Sequence, residues 1–214
     1  MKWTFASVFL LVLSVLVPAK ASVNFGGVVG ASSSFLWWGD DVLGRYSGLG
    51  PQAAVFADWS WTSVQFGSLG WPVVRTELGY QQRGDRTEVD IVNEHGDYLG
   101  RRWEQDWVDL VSVPVSGRWY LPLGAVSAFV SGGPRVDVFL HYTDKTQLGW
   151  SFVEDHDFSR VWLGADVGAG VDIDVGPVDI VPEIRYGFTL TSPLGEEYFN
   201  DYPGAAQLLV GVRF

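Results

Sequence analysis

The chain ends Ala206-Gln207-Leu208-Leu209-Val210-Gly211-Val212-Arg213-Phe214, and the reading of these nine residues decides the fold. Taken at every second position they give Ala206, Leu208, Val210, Val212 and Phe214 on one face, with Gln207, Leu209, Gly211 and Arg213 on the other. A period of two belongs to a β-strand, whose successive side chains point to opposite sides. One face is therefore continuously apolar up to an aromatic terminal residue, and the other carries the polar groups.

Working back from the end, the same period recurs. Between 178 and 190, Ile180, Pro182, Ile184, Tyr186 and Phe188 oppose Val181, Glu183, Arg185, Gly187 and Thr189. Between 160 and 172, Val161, Leu163, Ala165, Val167, Ala169 and Val171 oppose Trp162, Gly164, Asp166, Gly168, Gly170 and Asp172. The segment 126–142 sets an apolar row against Arg135, Asp137 and His141, and 71–85 sets Val74, Leu78 and Tyr80 against Arg75, Glu77, Gln81 and Arg83. Less regular strands are predicted near 23–36, 46–57 and 101–120, which makes eight. No sustained helical period and no linker interrupts the series.

The amino terminus is a separate object. Lys2 precedes the apolar run Phe5 to Val17 and the small-residue pattern Ala19-Lys20-Ala21, and the run is shorter than the roughly 20 residues a spanning helix needs. Residues 1–21 read as a secretory signal peptide, leaving 22–214 as one domain that begins near Ser22. Without Lys2 and Lys20 the 14 basic residues fall to 12 against 25 acidic ones, a balance of −13 that argues against nucleic acid as a partner. The exported chain has no cysteine, so its stability must come from packing or from a closed hydrogen-bonded sheet, and thiol catalysis is excluded. The 26 glycines and 11 tryptophans of the full sequence suit strands, turns and interfacial aromatics better than helices.

The connections are expected to alternate, short near 58–63, 121–125 and 173–177, longer and acidic near 37–45, 92–100, 143–158 and 190–203. Short turns at one end and long loops at the other are the habit of an outer-membrane barrel, with the short turns and both termini in the periplasm. Trp37, Trp38, Tyr142, Tyr198 and Tyr202 toward the long loops, and Trp59, Trp61, Trp119 and Tyr120 toward the short turns, are expected to form two aromatic girdles. The fold expected is all-β, an eight-stranded antiparallel up-and-down transmembrane β-barrel.

The terminal strand resembles that of bacterial outer-membrane proteins, and the resemblance implies that Phe214 is the signal read by the barrel-assembly machinery. Several further stretches, in order, resemble the PorT-like group of outer-membrane barrel domains. They are Val23-Asn24-Phe25-Gly26-Gly27-Val28, the Glu-Leu-x-Tyr-x-x-x-Gly stretch from Glu77 to Gly84, and Leu110 to Pro114. Ser131-Gly132-Gly133-Pro134, Ala165 to Val171 and Glu183-Ile184-Arg185-Tyr186-Gly187 complete the set. The resemblance implies an eight-stranded barrel in the bacterial outer membrane and names no activity. The tryptophan-rich 58–70 connection and the long 85–106 hairpin depart from the group.

If the apolar faces meet lipid, then Arg75, Glu77, Arg118, Arg135, Asp137, Asp166, Glu183, Arg185 and Arg213 share one lumen. An eight-stranded barrel is just wide enough for side chains to fill it, so the set reads as an ionic plug in preference to the wall of a pore. A soluble lipocalin-like barrel is the competing architecture, but it would turn its apolar face inward and leave five arginines on the wrong side.

For chemistry, Glu154-Asp155-His156-Asp157 could hold a divalent cation or an acid–base pair, and reads more simply as a solvated loop tip. His95 falls in a loop and His141 near the top of a strand. No His-x-Ser-Asn arrangement occurs, Ser131 and Ser151 have no base fixed by spacing, and Gly168-Ala169-Gly170 is followed by no helix. No catalytic residue, cofactor or metal is expected, and the chain is not expected to be an enzyme. The expected role is structural or surface-interacting, as a monomer whose partners are outer-membrane lipid, lipopolysaccharide, the barrel-assembly machinery and a surface protein. Two alternatives stay open: a narrow, porin-like channel or export-apparatus component, and a lipid-modifying enzyme with His141 or His156 as base.

Overall fold

The computed structural model describes residues 21–35, 45–61, 73–93, 95–146, 149–151, 160–191 and 204–214. Nine strands occupy them: β1 (Ala21–Phe35), β2 (Arg45–Trp61), β3 (Val73–Val92), β4 (Tyr98–Pro122), β5 (Val126–Thr146), β6 (Gly149–Ser151), β7 (Val161–Asp174), β8 (Asp179–Thr189) and β9 (Gly204–Arg213). Neighbours pair in the order β4-β3-β2-β1-β9-β8-β7-β5, and β4 also pairs with β5, so eight long strands close on themselves. Every pairing is antiparallel. The first and last strands join from Gly26 opposite Arg213 to Phe35 opposite Gly204, and the Phe214 amide adds a bond to the Phe25 carbonyl at 2.8 Å. Closure leaves the eight-strand wall no free edge, which lets its backbone groups be satisfied inside a bilayer.

Alternation along each strand sorts the side chains. Leu78, Val130, Leu163, Ile184 and Leu208 face outward, while Arg75, Arg118, Asp137 and Arg185 are buried. The apolar surface is outside and the charge inside, which overturns the lipocalin-like reading and defines a transmembrane barrel. Positions that must approach a neighbour closely are glycine. A Cβ on Gly170 would meet the ring of inward-facing Phe129 at 2.5 Å, and one on Gly187 would enter the space of the Arg135 guanidinium. The short turns after β4 and β7 place Gly124 and Gly176 at positive φ, 87° and 102°, where a side chain is strained.

Four expectations are corrected. The segment 58–61 continues β2 instead of forming a short turn, and the connection after it lies outside the described residues. The segment 92–100 is no long loop: β3 and β4 run on to a tight hairpin at 93–97, closed by the Asn93 side chain accepting from the His95 and Asp97 amides. The region 143–158 begins as strand to Thr146, on which β6 pairs. Tyr142 packs inward against a buried cluster, and Tyr120 is reached by Arg213 inside the lumen, so neither joins a girdle. Trp119 does face outward, and Trp59 donates its indole N–H to Thr76 at 3.2 Å. Of the expected signal peptide, residues 1–20 lie outside the described residues and Ala21 opens β1; Trp37, Trp38, Tyr198, Tyr202, Glu154 and His156 lie outside them too.

Candidate functional site

The nine charged residues singled out in the sequence come together in the lumen, and other groups join them. At the mouth beside the short turns, Arg213 lies 2.7 Å from Asp172 and 2.6 Å from Asp179, and reaches toward Asp58 at 3.6 Å. Asp58 receives two hydrogen bonds from Arg75 at 2.6 Å, and the Arg75 guanidinium lies over the Phe56 ring, 3.5 Å from its centre. A cavity of about 510 Å³ opens at this mouth, lined among others by Asp58, Tyr120, Asp172, Asp179 and Arg213. Two residues further along the same strands, Arg118 covers the Phe129 ring at 4.4 Å and occupies the space above.

Mid-lumen, Arg185 forms a fork on Glu77 with bonds of 2.9 and 2.8 Å and a third bond to Glu183 at 3.0 Å. Glu183 also accepts from Arg118 on the opposite wall. Toward the long-loop end, Asp137 accepts from Arg135 at 2.8 Å and Ser112 at 2.6 Å and lies 3.5 Å from Arg83, while Arg135 also donates to Asp166. Above this layer Val108, Leu110 and Trp162 form a buried apolar cluster against which Phe139 and Tyr142 pack.

Six arginines (Arg75, Arg83, Arg118, Arg135, Arg185, Arg213) meet seven carboxylates (Asp58, Glu77, Asp137, Asp166, Asp172, Asp179, Glu183) among the described residues. The charges cancel to within one, and the surplus carboxylate lies at the mouth, so the bonded set leaves little net field with which to draw an ion through. Sequence reasoning leaves Asp58, Arg83, Asp172 and Asp179 out of this set. Asp58 was hidden by the turn assigned to it, although its parity with Phe56 across from Arg75 and Glu77 was available; Arg83 and Asp172 stood on the polar faces of their strands and needed only to be carried inward.

His141 is the departure. Its parity with Arg135 and Asp137 predicts a lumen position, yet the pairing slips between Asp109 and Leu110, so that Leu140 is left over and His141 stands opposite Asp109. Such a bulge puts two successive residues on one side. Leu140 and His141 are both exposed on the outer wall, and the imidazole Nε2 lies 2.9 Å from an Asp109 carboxylate oxygen.

No family model and no curated relative matches the sequence. In three dimensions the chain is similar to Neisserial surface protein A (TM-score 0.49, 17% identity, covering 91% of this chain and 97% of that one). It is also similar to a major outer membrane protein from Thermus thermophilus (TM-score 0.49, 16% identity, 90% and 100% covered) and to the outer membrane enzyme PagL (TM-score 0.43, 16% identity, 88% and 97% covered).

Proposed function

We propose that the protein is a non-conducting barrel of the bacterial outer membrane, a monomer with a structural or surface-interaction role. The observation that carries this reading is the filled lumen: paired charges bridge opposite walls, and the Val108–Leu110–Trp162 cluster caps them toward the long-loop end. Its lipid-facing belt would anchor it among lipid and lipopolysaccharide, with Phe214 as the mark read during assembly. The β3–β4 hairpin, carrying exposed Tyr98 and Leu99 beside an Arg101–Asp90 pair at 2.9 Å, would be the part offered to a surface protein.

The chain from Ser22, folded in detergent, is expected to migrate differently before and after boiling, as a closed barrel does. The heat-modifiable form is then inserted into a planar bilayer. A silent bilayer at high protein density is the expected result. Reproducible unitary conductance steps would overturn the plugged lumen and favour the channel reading.

A further inference from the structure

The outer wall carries one carboxylate that the belt does not explain. Asp109 has the outward parity of Val111 and Val113, yet it is only 4% exposed, because neighbouring strands cover it with hydrogen-bond donors. Tyr80 donates its hydroxyl to Oδ1 at 2.5 Å, Gln82 donates an amide hydrogen to the same oxygen at 3.0 Å, and His141 Nε2 meets Oδ2 at 2.9 Å. Gln82, Asp109 and His141 are direct cross-strand partners, so the row is built by backbone register, and the β5 bulge delivers the histidine to it. A carboxylate accepts only, so Nε2 must carry the hydrogen of this contact, and in the neutral ring Nδ1 is then the basic nitrogen. The imidazole is 55% exposed.

The row lies at a chosen depth. The ten steps along β4 from outward Trp119 to Asp109, at roughly 3.3 Å each and a tilt of about 40°, rise about 25 Å, the height of the apolar band of an outer-membrane barrel. About 10–15 Å further along the same strands Arg86 stacks on Trp103, 4.0 Å from the ring centre, an arrangement suited to the headgroup layer. The exposed imidazole therefore lies near the level at which acyl chains are joined to their headgroups by ester bonds.

We infer that Asp109 and His141 form a general-base dyad on the outer wall that hydrolyses acyl esters of membrane lipids with water as nucleophile, an activity beyond the structural role proposed above and contrary to the expectation of no enzyme. Nδ1 takes a proton as the water oxygen bonds to the ester carbonyl carbon. The tetrahedral intermediate collapses by breaking the bond to the alcohol oxygen, and the Nδ1 proton passes to that leaving oxygen, giving a fatty acid and a freed hydroxyl. Asp109 is the positioning residue: its charge supports the imidazolium, while Tyr80 holds it still. Gln82 spends one amide hydrogen on Asp109 and has its second for the carbonyl oxygen of the ester.

The test uses the chain from Ser22 in three vesicles: diester phosphatidylethanolamine, its diether analogue, and the diether analogue with lipopolysaccharide. Insertion is checked by heat-modifiability, which separates failure of the barrel from failure of the dyad. Mass spectrometry is expected to find fatty acid released in the first or third composition, assigning the ester to a glycerolipid or to lipopolysaccharide, and not in the second. His141→Gln is expected to lower release by at least about 100-fold with the barrel intact. Asp109→Asn is expected to lower kcat with KM unchanged, and Asp109→Glu to recover part of the loss, a pattern a purely structural Asp109 would not produce. An inserted parent that releases nothing, or a His141→Gln variant as active as the parent, would overturn the proposal.

Discussion

Asp137 and Asp109 are two almost fully buried carboxylates on neighbouring strands of one wall, and the wall separates them. Asp137 faces inward and meets Arg135 at 2.8 Å, Arg83 at 3.5 Å and the Ser112 hydroxyl. Asp109 faces outward and meets no arginine; a phenol, an amide and an imidazole cover it. Inside, charge is cancelled by fixed charge, which makes a stiff filler. Outside, the compensating partner is a histidine that can change its charge and keeps a nitrogen toward the surroundings. The same residue type thus serves packing on one face of the sheet and, as proposed, chemistry on the other.

The sharpest break of the inner side is Arg135→Met. Asp137 and Asp166 both lose a buried partner, and removing one member of a buried ionic set costs about 3–5 kcal/mol. Urea unfolding of the detergent-folded barrel, followed by tryptophan fluorescence and by loss of the fast-migrating form, is expected to show a loss of that size. A midpoint equal to the parent's would mean that the lumen charges are solvated in place of being paired. Gly187→Val attacks the same layer by volume, because its Cβ would enter the space of the Arg135 guanidinium; overpacking of this kind costs about 1–3 kcal/mol. The same urea series reads it, and Gly132→Val, where a Cβ meets nothing nearer than 3.6 Å, is the control expected to change less.

Taking both members away separates charge from filling. In Glu77→Met/Arg185→Met, Glu183 keeps Arg118, and the removed pair is replaced by apolar volume. Such exchanges are often neutral or stabilising, so the double variant is expected within about 1 kcal/mol of the parent and still silent in a bilayer. Conductance appearing in it would show that charge, not volume, closes the lumen.

Most of this fold could be read from the chain because one rule, alternation, acts on every strand, and a membrane barrel inverts the usual sorting so plainly. Ile180 to Phe188 and Ala206 to Val212 carry it, with Val181 and Leu209 as the apolar side chains on the inner face. The long 85–106 hairpin was legible, but the strand that continues past Asp85 to Val92 was not, because Asp85, Arg86, Thr87 and Glu88 are polar on both faces: above the belt a strand has water on either side and loses its sequence signature. The outward place of His141 beside Asp109 was missed for a different reason. A bulge leaves no mark in composition, and one surplus residue reverses the parity of everything beyond it. Reading His141 from Asp137 is sound for two steps and fails at Leu140.

That failure supplies the gentlest test of the comparison. Pairing is continuous on both sides of the slip, with Phe139 opposite Leu110 and His141 opposite Asp109. Deleting Leu140 should therefore remove the surplus residue and leave both registers as they are, with His141 still outward. The expected stability change is under about 1 kcal/mol, the range of surface changes away from packed features. The decisive readout is the rate at which a histidine-acylating reagent labels His141 in the folded, detergent-held barrel, followed by mass spectrometry. A rate within about twofold of the parent's is expected, since the deleted residue neither covers the ring nor sets its partner. Protection of His141 would mean that the ring has turned into the lumen beside Phe139, that Leu140 itself holds the outward register, and that the outer row depends on the bulge for its direction as well as its spacing.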